Sequence, residues 1–183
     1  MNKRNRTHEL IKENLLTLLS KQKLSDITVY DICGSTFITR STFYNHFKDK
    51  FHVLESINED FCLKLRDHLN LRFNSVDIEP LLIDLIDNIN KKNFLIMIDI
   101  QEENVNLRKD IQLIFENTLH NHLISNGNNQ RSGTSNLFIE KLFSSIAMTF
   151  LEYSTKYGQT KENARLLNDL NSIFLDYFFN KEQ

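Results

Sequence analysis

Thr28-Val29-Tyr30-Asp31-Ile32-Cys33-Gly34-Ser35-Thr36-Phe37-Ile38-Thr39-Arg40-Ser41-Thr42-Phe43-Tyr44-Asn45-His46-Phe47-Lys48-Asp49-Lys50 packs three helix-start signals into 23 residues. Thr28 with Asp31 three residues on is a capping-box pattern, and it opens a short helix through Val29, Ile32 and Cys33. Thr39 can cap a second short helix carrying Phe43 and Tyr44, and Asp49 a long one after it. Two short helices joined by about four residues, beside a long helix, are the skeleton of a helix-turn-helix unit.

Helical periodicity continues on both sides. Ile11, Leu15, Leu18 and Leu19 form an amphipathic stripe over about 4–22, and Leu54, Ile57, Phe61, Leu65 and Leu69 form another over about 49–72. Pro80 suits a first helical turn, with Leu82, Leu85, Ile86 and Ile89 continuing that helix. Leu107, Ile111, Ile114, Phe115, Leu119 and Leu123 mark a helix over about 104–125. Ser125 to Ser135, with Gly127 and Gly133, reads as a long loop. The stretch 136–157 is apolar on almost every side, so as a helix it must be covered all round. Gly158 ends it, and Thr160 can cap a last helix carrying Leu167, Leu170, Phe174, Tyr177 and Phe178.

Composition agrees. Four glycines and one proline in 183 residues are too few for sandwiches, barrels or Gly-rich nucleotide loops. An all-α chain is the economical reading. The longest apolar run, Phe94-Leu95-Ile96-Met97-Ile98, is too short to span a bilayer. No apolar signal core follows the basic N-terminus, so the chain is expected in the cytosol and away from membranes. Cys33 and Cys62 make neither a disulfide framework nor a metal spacing, and are expected to be reduced and buried. The net charge of −2 hides an asymmetry: residues 1–50 hold nine Lys/Arg against five Asp/Glu (+4), and 51–183 hold thirteen against nineteen (−6). A polyanion, if one binds, meets the basic head.

The run from Thr28 to Lys50, matched without a gap, resembles the DNA-binding signature of tetracycline-repressor-type (TetR/AcrR) regulators. It covers about an eighth of the chain; the helix before it, the chain length and the helical remainder fit the family plan. The resemblance implies a three-helix DNA-binding domain at 1–48 and a helical-bundle regulatory and dimerisation domain at 49–183. Its carried-over DNA-binding positions are Thr28, Thr39, Arg40, Ser41, Thr42, Tyr44, Asn45 and Lys50. Their chemistry suits the task. Thr39, Ser41 and Thr42 supply hydroxyls near a helix start, and Arg40 offers a planar fork for guanine or phosphate. Tyr44 joins a ring to a hydroxyl, Asn45 both donates and accepts, and Thr28 and Lys50 stand where relatives touch phosphate. One departure concerns the turn, where the family carries Gly at positive φ and this chain has Phe37. A bulky residue there costs about 1 kcal/mol or more, and Gly34 three residues earlier would allow a different turn.

Other candidates read blandly. His120 and His122 are two apart and point to different helix faces, so no metal pair is expected. His46 suits phosphate contact or packing equally, and Asp84, Asp87, Glu102 and Glu103 read as solvated faces. No Ser/His/Asp grouping or phosphate-cradling loop is present, so neither an enzyme nor a cofactor is expected. Phe94, Phe115, Phe138, Phe143 and Phe150 could line a cavity for a small apolar effector or form solid core.

The reading is a homodimeric transcriptional regulator, a repressor released from a palindromic operator on duplex DNA by an effector bound in the body. Phe138, Leu142, Ile146 and Phe150, with Leu167, Leu170, Phe174 and Phe178, are the expected dimer face, joined as a four-helix bundle. The rival reading is a protein-interaction module whose body answers to a partner protein, with DNA binding reduced or lost.

Overall fold

The computed structural model describes residues 3–72, 84–87, 89–125 and 136–179. The helix start at Pro80 and Leu82, the loop across 126–135, and the side chains of His122, Leu123, Phe174, Tyr177 and Phe178 lie outside the described residues. The fold is all-α: α1 (Lys3–Leu19), α2 (Val29–Thr36), α3 (Arg40–Tyr44), α4 (Lys50–Arg72), α5 (Lys91–Ile98), α6 (Leu107–Ser125), α7 (Asn136–Tyr157) and α8 (Lys161–Phe179). A 3-10 turn at Leu24–Asp26 precedes α2, and 84–87 is helical.

Polar side chains set the helix starts. Thr28 and Asp31 form the full capping box: the Thr28 N–H donates to the Asp31 carboxylate at 2.8 Å, and the Asp31 N–H to the Thr28 hydroxyl at 3.3 Å. Thr39 accepts from the Thr42 N–H at 3.1 Å, Asp49 from the His52 N–H at 2.8 Å, and Thr160 from the Asn163 N–H at 3.2 Å. Gly158, at φ 89°, ends α7 in a conformation that costs glycine nothing.

α5 is a helix of its own, which the apolar run 94–98 did not announce. Asn90 breaks the chain before it and accepts from the Asn93 N–H at 3.1 Å. The 102–105 segment is a tight turn, so α6 begins three residues later than the periodicity suggests.

α1 packs on α2 and α4, α4 on α6, and α6 lies along α7. One apolar core runs through them, from Ile11, Ile32 and Phe43 in the head to Phe94, Phe115 and Leu151 in the body. Phe94 and Phe115 are core, while Phe143 meets Phe115 edge-on. Cys33 and Cys62 are free and buried. Burial pushes both thiols up, Cys62 to about 11 with the Asp110 carboxylate adding to it.

Two polar pairs join elements, and the first of them corrects a bland reading. Asp84 is not simply solvated: its carboxylate meets His68 Nε2 at 2.7 Å, tying 84–87 to α4. His120 meets the buried Glu140 carboxylate at 2.7 Å, joining α6 to α7.

Candidate nucleic-acid interface

The unit that carries the DNA-binding signature is held from beneath by an aromatic stack. Phe43 and Phe47 are buried, and the His8 ring of α1 stacks on Phe47 at 4.4 Å. The half-buried His46 ring is tilted against that of His8, 6.1 Å between ring centres. The Asn14 side chain donates to the Ile32 carbonyl at 2.8 Å, fixing α2 against α1. Such supports let a five-residue α3 hold its place, since an isolated helix of that length has no stability of its own.

On that base Arg40, Ser41, Tyr44 and Asn45 stand exposed, so the structure brings these expected DNA-binding side chains together on α3 and its end. The hydroxyls of Thr28, Thr39 and Thr42 are exposed or half-buried and already serve the caps; those of Thr39 and Thr42 lie 2.9 Å apart. The Thr28 hydroxyl and backbone hold the Asp31 carboxyl below the usual range.

The expected phosphate contact at Lys50 meets a different geometry. The Lys50 ammonium donates to the carbonyls of Leu24 at 2.7 Å and Ile27 at 2.8 Å, in a half-buried site. It fastens the start of α4 to the 3-10 turn, and the ordinary reason for an exposed lysine there is gone.

The expectation of a different turn is also corrected. Phe37 itself takes the left-handed conformation, φ 54° and ψ 33°, that the family gives to glycine. Its N–H and that of Ile38 both turn back to the Cys33 carbonyl, closing the α2 end. Gly34 lies inside α2 with open space where a Cβ would be, and takes no part in the turn.

Sequence reading missed Tyr30. The Arg40 guanidinium lies over the Tyr30 ring at 5.6 Å from its centre, within cation–π range. An exposed tyrosine early in α2 was the visible signal, but the pairing crosses the turn and needs its geometry.

Elsewhere, Lys12 of α1 is buried, its ammonium 2.5 Å from Asp60 of α4 and 2.8 Å from Glu9. Burial opposes that charge, but hydrogen bonds to Asp60 and Glu9 outweigh it and raise the Lys12 pKa. These groups edge a cleft of about 620 Å³ whose described lining includes Phe61, His68 and Phe94. A second, apolar groove of about 480 Å³ runs between α7 and α8 past Ile146, Phe150, Leu166 and Leu170. Phe138, Leu142 and Leu170 are exposed, Ile146 and Phe150 half-buried, and Leu167 is buried within the protomer. Leu167, though buried, also lines the groove.

No protein-family model matches the chain. A curated relative described as an uncharacterized HTH-type transcriptional regulator, YxbF of Bacillus subtilis (strain 168), is 34% identical over 67 residues, 36% of this chain. The match spans 18% of that relative's length. Two solved structures share the fold nearly end to end. The dihydroxyacetone kinase operon activator DhaS superposes with a TM-score of 0.57 at 19% identity, over 94% of this chain and 96% of its own. A TetR-family transcriptional regulator from Pectobacterium atrosepticum gives a TM-score of 0.55 at 12% identity, over 99% and 98%. The all-α fold is that of TetR-type regulators.

Proposed function

We propose that this chain is a sequence-specific DNA-binding transcriptional regulator that works as a homodimer, with a DNA-binding head at 1–48 and a regulatory and dimerisation body at 49–183. The observation that carries this is the α2–turn–α3 unit: both helices capped, braced on α1, and presenting Arg40, Ser41, Tyr44 and Asn45 to solvent on a basic head. The fold shared with DhaS and the P. atrosepticum regulator, and the local identity with YxbF, support the same reading.

In this reading the protein represses from a palindromic operator. Two heads related by a twofold axis enter successive major grooves, and Arg40 reads a base edge in each half-site. An effector in the body releases them by binding one spacing of the heads more tightly than the other. The cleft beside Lys12, Asp60 and His68 supports a site for it next to α4, the helix that leads from head to body. Its lining favours a molecule with polar groups on an apolar frame. The neighbour DhaS is named an operon activator, and this favours activation as a second reading. The same head then acts from an operator placed to recruit rather than obstruct.

Binding of the full chain to duplexes from the DNA flanking its own gene tests the proposal. Arg40→Ala should cost about 1–3 kcal/mol and relax specificity at one position per half-site. Unchanged affinity for a selected duplex, or wild-type binding that is wholly non-specific and salt-driven, sinks it.

A further inference from the structure

Phe37 combines two unfavourable features. Its backbone sits at φ 54°, where a side chain with a Cβ is strained, and its ring is 97% exposed. Neither serves packing. The turn closes through the N–H groups of Phe37 and Ile38 and the Thr36 hydroxyl, all donating to the Cys33 carbonyl; none of these bonds uses the Phe37 ring, and glycine would close it without strain. Meanwhile Gly34, one helical turn earlier, has open space around the position of a Cβ, so the chain keeps a glycine where none is required. The bulky residue and the small one are interchanged relative to what folding alone favours.

The position of the ring says what it could meet. Phe37 lies two residues before Thr39, the cap of α3, in the turn between Tyr30 and Arg40, whose side chains stack across it. An apolar ring at the approach to a base-reading helix has one apolar feature of the major groove within its chemistry: the C5-methyl of thymine. A neutral protein partner fits the place less well, because the surrounding head carries a net +4 that favours a polyanion.

We propose that Phe37 is a specificity-determining residue that packs its ring on a thymine methyl in each half-site. The inference rests on the DNA-binding reading and adds a base to it. The strain at Phe37 is offset on the duplex when the ring leaves water.

The test uses the full chain and the duplex that wild type selects from a randomised duplex pool. Each thymine of that duplex is replaced in turn by deoxyuridine, which removes only the methyl. One position per half-site should weaken wild-type binding about fourfold, or ~15-fold with both half-sites replaced. Phe37→Gly should bind the thymine duplex more weakly by the same factor, be indifferent to deoxyuridine there, and melt no lower than wild type. Phe37→Asn, which also tolerates the left-handed turn, should behave alike. Wild-type affinity in both variants overturns the proposal and sends the ring to a protein partner. So does a loss that falls equally on thymine and deoxyuridine duplexes, which puts the ring on the sugar-phosphate. If Arg40→Ala still loses the selected duplex in either case, the DNA-binding reading stands without it. A wild type that selects no sequence removes both.

Discussion

Lys50 illustrates how one residue's partners decide what its removal does. Its ammonium is held by the carbonyl oxygens of Leu24 and Ile27, with that of Ser25 at 3.5 Å, so Lys50→Met removes these charge-assisted hydrogen bonds, while the Leu24 carbonyl keeps the Ile27 N–H. The expected cost is about 1–3 kcal/mol, read as a lower urea midpoint at unchanged m-value. Duplex affinity should fall only as far as the fastening of α4 to the 24–27 turn is lost. Unchanged stability with weaker binding to all duplexes would instead return Lys50 to the phosphates. Asp31 gives a pH prediction. Its folded pKa lies below the ordinary 3.8, so its contribution is complete above that value and is lost as pH falls through the lower, folded one. Wild type should out-melt Asp31→Asn by a constant margin from pH 7 to about 5, and the margin should close below about pH 4. A margin that survives at pH 2 would place the effect in geometry rather than charge.

At the scale of elements, the spacing of apolar residues carries α1, α4, α6, α7 and α8 to within a few residues, because each has one face on a shared core. The caps at Thr28, Thr39 and Asp49 were equally legible, since capping is local and its residues lie three apart. α5 was not. Phe94 to Ile98 is apolar without a helical rhythm because it is covered on several sides, and its cap Asn90 is one asparagine among many. The exposed polar residues of α3 could be seen in the sequence. The Tyr30–Arg40 stack and the Lys50 fastening could not, because each joins residues across a turn whose shape periodicity does not fix. The same holds for Lys12 and Asp60, 48 positions apart, which tie α1 to α4. Here the partners are unequal: Lys12 is 5% exposed, whereas solvent reaches Asp60. Asp60→Asn strands a buried ammonium on Glu9 alone and should cost roughly 1–2 kcal/mol after allowance for screening. Lys12→Met keeps the aliphatic stem in place and should cost less. A double-mutant cycle by urea unfolding checks both; additive losses would mean the pair is not coupled.

For the whole molecule the decisive feature is apolar surface that one chain leaves uncovered. Ile139, Ala147, Met148 and Leu151 bury one side of α7, while Leu137, Phe138 and Leu142 remain exposed on it. α8 buries Ala164 and Leu167 and exposes Leu166 at 59%, Leu170 at 41% and Ile173 at 64%. Large contiguous apolar patches are uncommon on monomers, and two consecutive helices that line one groove and each keep a bare side can form half of a four-helix bundle. A twofold copy would close it, and the same axis would give the two heads the symmetry of a palindrome. Leu166→Asp with Leu170→Asp puts charge only where solvent already reaches, so the protomer should keep its fold, unlike a change at Leu167. Sedimentation at micromolar concentration should then show a dimer for wild type and a monomer for the variant. Melting separates association from damage: the wild-type Tm should climb with protein concentration because dimerisation stabilises by mass action, and the variant's should not. The variant should also lose the palindrome while keeping weak, salt-sensitive attachment to duplex DNA, since each head still carries its charge. A wild type that sediments as a monomer at this concentration and still holds a palindrome tightly would break the link between the bare faces and the paired heads.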